Sequence, residues 1–181
     1  MEKNYRAELV GCFGDPVDGN PTGVMEEAGF QHDGLNWRYI TVRVAKDDLD
    51  DAMAGVRASN MRGVNLTMPH KISVLRHMDA LSEAARVIGA VNTVVCRPDG
   101  TLFGENTDGK GFVQSLTDAG IALAGKSIAL LGAGGAARSI GVECALAGAK
   151  AVNVINRSAA RGRDLAAVIN AHTAARAEYI P

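Results

Sequence analysis

The stretch from Ser127 to Ile155 restricts the fold more than any other part of the chain. Ser127 to Leu131 is an unbroken apolar run of strand length. Gly132-Ala133-Gly134-Gly135-Ala136-Ala137 follows, then a helical stretch from Arg138 to Ala147 and a second apolar strand from Lys150 to Ile155. Strand, glycine turn, helix and strand make the first unit of a dinucleotide-binding fold. Gly132 permits the tight turn, Gly134 lets a pyrophosphate approach the backbone, and Ala137 lets the helix pack closely on the strand. Amide donors at the helix start suit phosphate. The bland alternative is an ordinary tight turn between a strand and a helix. A final helix is expected from Arg161 to Asn170.

A site that prefers NAD usually carries an acid after the second strand. This chain has Asn156-Arg157-Ser158 there, with Arg161 one turn further on. Arginine clamps a 2′-phosphate with paired donors, so the expected cofactor is NADP. The alternative is that Arg157 and Arg161 are solvated helix charges.

Three earlier stretches carry side chains suited to chemistry. Arg62 to Met68 reads as a short strand bearing Asn65 and Thr67, and Pro69 ends it because proline cannot extend a ladder. His70 to Met78 then reads as a helix with Ile72, Leu75 and Met78 near one face. Lys71 falls in its first turn, where the helix dipole disfavours a cation. It is therefore a candidate for proton transfer, set against a merely solvated lysine. Asp108 follows a strand from Thr101 to Phe103 and sits where a helix cap sits, a common place for aspartate. Asn92 puts an amide inside an apolar run, where it must find partners in the core or on a ligand.

These motifs together resemble the shikimate dehydrogenase family over nearly the whole chain. Asn65, Thr67 and Lys71 fit its Asn-x-Thr-x-Pro-x-Lys motif, Asn92 its Ala-Val-Asn-Thr motif, and Asp108 its Asn-Thr-Asp-x-x-Gly motif. Gly14-Asp-Pro16-Val17 looks like its first strand-to-loop segment, and Asn156-Arg157-Ser158 like the segment of its NADP-using members. The resemblance implies reversible NADP-linked oxidation of a ring hydroxyl of shikimate or a related cyclic polyol acid. It makes Lys71 and Asp108 a catalytic dyad and Asn65, Thr67 and Asn92 contacts to ring hydroxyls. It also places a carboxylate-binding Ser-x-Ser pair in the opening loop. Here that pair becomes Asn20-Pro21-Thr22, so Asn20 and Thr22 are the candidate contacts. This departure keeps quinate or an aminated ring open as substrates. A non-catalytic binding module on the same fold is the other alternative, and the presence of both Lys71 and Asp108 argues against it.

The expected fold is α/β. A substrate-binding α/β domain over residues 1–107 is followed by a Rossmann-like domain over 108–181, incomplete at two strands and one crossover. Its other elements are strands from Ala7 to Phe13 and Trp37 to Val44, a short helix from Val24 to Ala28 closed by Gly29, and a helix from Asp47 to Arg57 with Asp47 or Asp48 as cap. Two helices span His70 to Val87, and Pro98-Asp99-Gly100 turns a hairpin. The formal net charge is −1 over 181 residues, which offers nothing to nucleic acid or a membrane surface. No apolar run approaches the roughly 20 residues that span a bilayer. The four histidines and three cysteines are too scattered for a metal site. Cys12, Cys96 and Cys144 read as buried thiols of a reducing compartment. A cytoplasmic monomer or homodimer acting on a small molecule is expected.

Overall fold

The computed structural model describes residues 5–181. In chain order its elements are β1 (Glu8–Gly14), α1 (Thr22–His32), β2 (Trp37–Arg43), α2 (Leu49–Ala58), β3 (Gly63–Leu66), α3 (His70–Ser73), β4 (Ala80–Leu81), α4 (Glu83–Ile88), β5 (Thr93–Cys96) and β6 (Leu102–Glu105). They continue with α5 (Asp108–Asp118), β7 (Ser127–Leu131), α6 (Gly135–Leu146), β8 (Ala151–Ile155), α7 (Ala159–His172) and β9 (Arg176–Ile180). The chain forms two compact units. The first runs through Leu81 and resumes from Val91 to Glu105; the second takes Ser82–Ala90 and Asn106–Pro181. This differs from a single cut after Thr107. The apolar side chains of the α4 segment, Ala84, Ile88 and Ala90, join the core of the second unit.

The first unit is built on a mixed six-stranded sheet in the order β2-β1-β3-β5-β6-β4. β1 lies parallel to β2 and β3, while β5 runs antiparallel to β3 and β6. Leu49, Met53 and Val56 recur at helical spacing on α2 and are fully buried, which is why that segment folds as an amphipathic helix. Asp48 is its cap residue, but the Asp48 side chain makes no cap hydrogen bond.

α1 is longer than its expected five residues and passes through Gly29 without stopping. Its last turn closes on Asp33, and the left-handed φ of 67° falls at Gly34. Propensity placed the stop at the earlier glycine, but one helical glycine costs only about 1 kcal/mol.

The segment from His70 to Met78 holds a single α turn, followed by a 3-10 turn from Val74 to His77. Met78 is extended, which delivers Ala80 and Leu81 to their pairing with Phe103 and Gly104. A continued helix could not make that pairing. The buried face also differs from the expected one. His70 and Val74 are buried, whereas Ile72 is exposed.

The second unit has a parallel sheet in the order β7-β8-β9. β9 was absent from the sequence reading, so this unit has three strands and two crossovers. Its residues alternate charged and apolar over only five positions, too short a pattern to stand out. Leu130, Val142, Val152, Val154, Leu165 and Ile169 form the centre of its core. Cys12 and Cys144 are buried and free, while Cys96 is free but only partly buried. Among the described residues no helix is long and apolar enough to cross a membrane.

Candidate functional site

In the first unit the parallel strands β1 and β3 lie side by side and carry Cys12 and Asn65. Asn65 lies opposite Cys12 in the β1–β3 register and opposite Thr93 in the β3–β5 register. A continuous chain of hydrogen bonds follows from that geometry. Asn20 Nδ2 donates to Cys12 Sγ at 3.4 Å. The Cys12 thiol and the Tyr39 phenol are hydrogen-bonded to each other. Tyr39 Oη donates to Asn65 Oδ1 at 2.9 Å, Asn65 Nδ2 donates to Thr93 Oγ1 at 3.2 Å, and Thr93 Oγ1 donates to Asn92 Oδ1 at 3.0 Å. Three expected contact residues, Asn20, Asn65 and Asn92, are therefore joined through Cys12, Tyr39 and Thr93.

Sequence reading missed those three linking residues. The available signal was Tyr39 in a half-buried strand, because a buried phenol needs a partner. A phenol that donates to Asn65 Oδ1 fixes which way that amide faces. Burial pushes the Tyr39 phenol above its ordinary range, and the Cys12 and Glu26 charges push the same way. Burial also raises the Cys12 thiol, opposed by its bond to Tyr39 and by the nearby Lys71 charge. Lys71 thus lies within electrostatic reach of this chain.

The Lys71 carbonyl accepts from Val91 N at 2.7 Å, and the Asn92 carbonyl accepts from Leu66 N at 2.8 Å. These bonds hold the α3 turn and the entry to β5 against β3. Thr67 N donates to the Phe13 carbonyl at 3.0 Å, which keeps Thr67 at the end of the sheet. Thr22 N donates to Asn20 Oδ1 at 2.9 Å, so Asn20 closes the loop that starts α1. Tyr39→Phe is expected to lower the stability of the first unit by about 1–3 kcal/mol, because Asn65 Oδ1 loses its buried donor. Urea denaturation measures this directly, and an unchanged midpoint would refute the linking role.

Two cavities flank α1. One of about 330 Å³ is lined by Glu26, Phe30, Trp37, Tyr39, Arg62 and Asn65 among others. The other, of about 600 Å³, is lined by Asn20, Glu27, Gln31, Tyr39 and Thr41 among others.

In the second unit Gly132 has a left-handed φ of 109°, which glycine adopts freely, and Gly134 caps α6 in an extended conformation. A Cβ on Gly134 or Gly135 would meet nothing within 4 Å, so the backbone there is open to a ligand. Gly134, Gly135 and Ala136 are exposed, while Gly132, Ala133 and Ala137 are partly buried. A Cβ on Gly132 would lie 3.8 Å from Ala137 Cβ, consistent with close packing of strand and helix. At the end of β8, Asn156 Nδ2 donates to the Ser158 carbonyl at 2.9 Å, and the Asn156 carbonyl accepts from Tyr179 Oη at 3.0 Å. Arg157 and Arg161 are both exposed. This donor set, with no acid between Ile155 and Arg161, fits a dinucleotide that carries an extra phosphate.

Asp108 is the first residue of α5 and Thr107 its cap, so the aspartate lies one position inside the helix. Asn106 sets that start. Its Oδ1 accepts from Asp108 N at 3.2 Å and from Ser139 Oγ at 2.6 Å, while its Nδ2 donates to the Ala90 carbonyl at 3.2 Å. Among the described residues no group of His, Cys, Asp and Glu side chains could hold a metal ion.

The mixed sheet with its amide-bearing strand ends, joined in one chain to a parallel βαβ unit with an open glycine turn, defines a two-unit α/β protein with a Rossmann-type part. Residues 12–94 match the family model described as the shikimate dehydrogenase substrate binding domain. A shikimate dehydrogenase (NADP(+)) of Desulforamulus reducens is 45% identical over 179 residues, covering 98% of this chain and 61% of the relative. A ligand-free 5-ketofructose reductase of Gluconobacter sp. strain CHM43 is 48% identical with a TM-score of 0.93, covering 97% of this chain and 63% of that one. The shikimate 5-dehydrogenase of Listeria monocytogenes, solved with shikimate and NAD, is 36% identical with a TM-score of 0.94, covering 99% and 63%. The chain belongs to the shikimate dehydrogenase family. It spans about three-fifths of the length of these relatives.

Proposed function

We propose that the whole protein is an NADP-dependent oxidoreductase that interconverts a secondary hydroxyl and a ketone on a polyhydroxylated small molecule. The observation that carries this is the Gly132 turn, open at Gly134 and Gly135, in the same chain as the linked amides Asn20, Asn65 and Asn92. Gly132 to Ala137 would hold the pyrophosphate, and Asn156, Arg157, Ser158 and Arg161 the adenosine end with its 2′-phosphate. When bound, NADP(H) accepts or supplies the hydride. Lys71 takes or gives the hydroxyl proton, and Asp108 hydrogen-bonds the same hydroxyl, roles carried over by the motifs these residues match. Asn65, Thr67 and Asn92 hold neighbouring hydroxyls, with Asn20 and Thr22 at the far end of the substrate. Shikimate, the substrate named for most relatives, and 5-ketofructose, named for the Gluconobacter enzyme, are the two candidates; quinate and aminoshikimate are close variants of the first.

The test is NADP⁺ reduction or NADPH oxidation by the full-length protein with these compounds. A folded protein that binds NADP(H) but transfers hydride to none of them overturns the reading. Arg157→Ala is expected to cut the preference for NADP over NAD by about 10–150-fold, the loss of a charge-assisted contact worth about 1.5–3 kcal/mol. Dissociation constants for both nucleotides check it, and an unchanged ratio removes Arg157 from the 2′-phosphate site.

A further inference from the structure

The opening loop is poorly equipped to receive an anion. The Asn20 amide is partly committed: Oδ1 accepts from Thr22 N at 2.9 Å, and one of the two Nδ2 hydrogens is directed at Cys12 Sγ at 3.4 Å. The side-chain oxygen of Asn20 therefore occupies the Thr22 amide, which is no longer offered to an incoming anion. The charges around it point the same way. Among the described residues, the cavity beside Asn20 carries Glu27 and no cationic side chain. The neighbouring cavity carries Glu26, and its guanidinium, Arg62, is paired with Glu8 at 3.2 Å. Arg43 is drawn to the acidic loop itself, 2.9 Å from Asp15, and also feels Asp18. Lys71, within electrostatic reach of Cys12, is the cation that the proposed reaction gives to the reacting oxygen.

A carboxylate brought into this ring of Asp and Glu side chains meets like charge with no free guanidinium to offset it. Hydroxyl groups meet good partners. Glu27 Oε1 already accepts from Tyr39 N at 2.5 Å, which leaves its other oxygen, with Gln31 and Thr41 of the same cavity, to meet such hydroxyls.

We propose that the substrate is a neutral polyhydroxy ketone of the ketose class, not a ring carboxylate, and that Asn20 and Glu27 set this preference. The inference rests on the dehydrogenase reading above and narrows its substrate. The reaction balances without a further reactant. The ketone carbon gains a hydride from NADPH, which leaves as NADP⁺. The ketone oxygen gains a proton from Lys71, which solvent restores.

The experiment follows NADPH oxidation by the full-length protein with 5-ketofructose and, separately, with 3-dehydroshikimate. The expected kcat/KM is at least about 100-fold higher for the neutral ketone, in line with what a mismatched polar site rejects. The double variant Asn20→Ser, Glu27→Gln is expected to raise kcat/KM for 3-dehydroshikimate by about tenfold and to lower it for the ketose. Equal or faster reduction of 3-dehydroshikimate by the unaltered protein overturns the inference and leaves the dehydrogenase reading standing. Reduction of neither ketone by a folded protein that binds NADPH overturns both.

Discussion

Lys71→Ala is expected to lower kcat by about 100- to 10,000-fold, the range lost when a positioned proton donor is removed. The backbone at Lys71 is fixed by the bond from Val91 N, and the side chain is partly buried beside the Cys12–Tyr39–Asn65 chain. The bonds of that chain join the side chains of Asn20, Cys12, Tyr39, Asn65, Thr93 and Asn92 to one another. Substrate binding should therefore change much less than turnover, and KM should stay within about tenfold of the unaltered value. Steady-state kinetics on the full-length protein, with a circular dichroism check of folding, separates the two parameters. A variant that keeps more than a tenth of its turnover sinks the proton-transfer role.

Much of this arrangement could be read from the residues. The glycine turn was legible because Gly132 must adopt a positive φ and because apolar runs flank it on both sides. The Lys71 and Asp108 positions were legible because each follows a strand and opens a helical turn. What could not be read was tertiary. The burial of His70, with Nε2 2.8 Å from the Val44 carbonyl, depends on a strand that lies 26 positions earlier. Local periodicity favoured Ile72 instead, and Ile72 faces solvent. The joining of Asn20 to Asn65 through Cys12 and Tyr39 needs β1, β2 and β3 to be neighbours, which no local pattern states. The placement of the α4 segment with the second unit is tertiary for the same reason. Its alanines and Ile88 look equally suited to either core, and only the fold chooses.

Gly109→Ala is expected to destabilise the second unit by about 1–3 kcal/mol, the usual cost of overpacking. A Cβ at this position would lie 2.4 Å from the Ser139 carbonyl oxygen and 2.6 Å from Glu143 Cγ, so α5 and α6 touch at the glycine itself. The nearer obstacle is backbone, which has no rotamer to change, so the helices must separate. Separation stretches the bond from Gly109 N to Ser139 Oγ, 3.0 Å long, and with it the Ser139–Asn106 contact that sets the start of α5. Asp108 adjoins Gly109 and lies between it and Asn106, so activity should fall together with stability. The melting temperature should drop by roughly 2–12 °C for a chain of this size. Gly111→Ala provides the contrast within the same helix. A Cβ there meets nothing within 4 Å, and replacing a helical glycine by alanine should stabilise by about 0.5–1 kcal/mol. Opposite signs for two substitutions only two positions apart would identify helix contact, and not helix propensity, as the cause. A Gly109→Ala protein that melts no lower than the unaltered one would show that α5 and α6 can part without cost, and would remove the packing argument for how Asp108 is held.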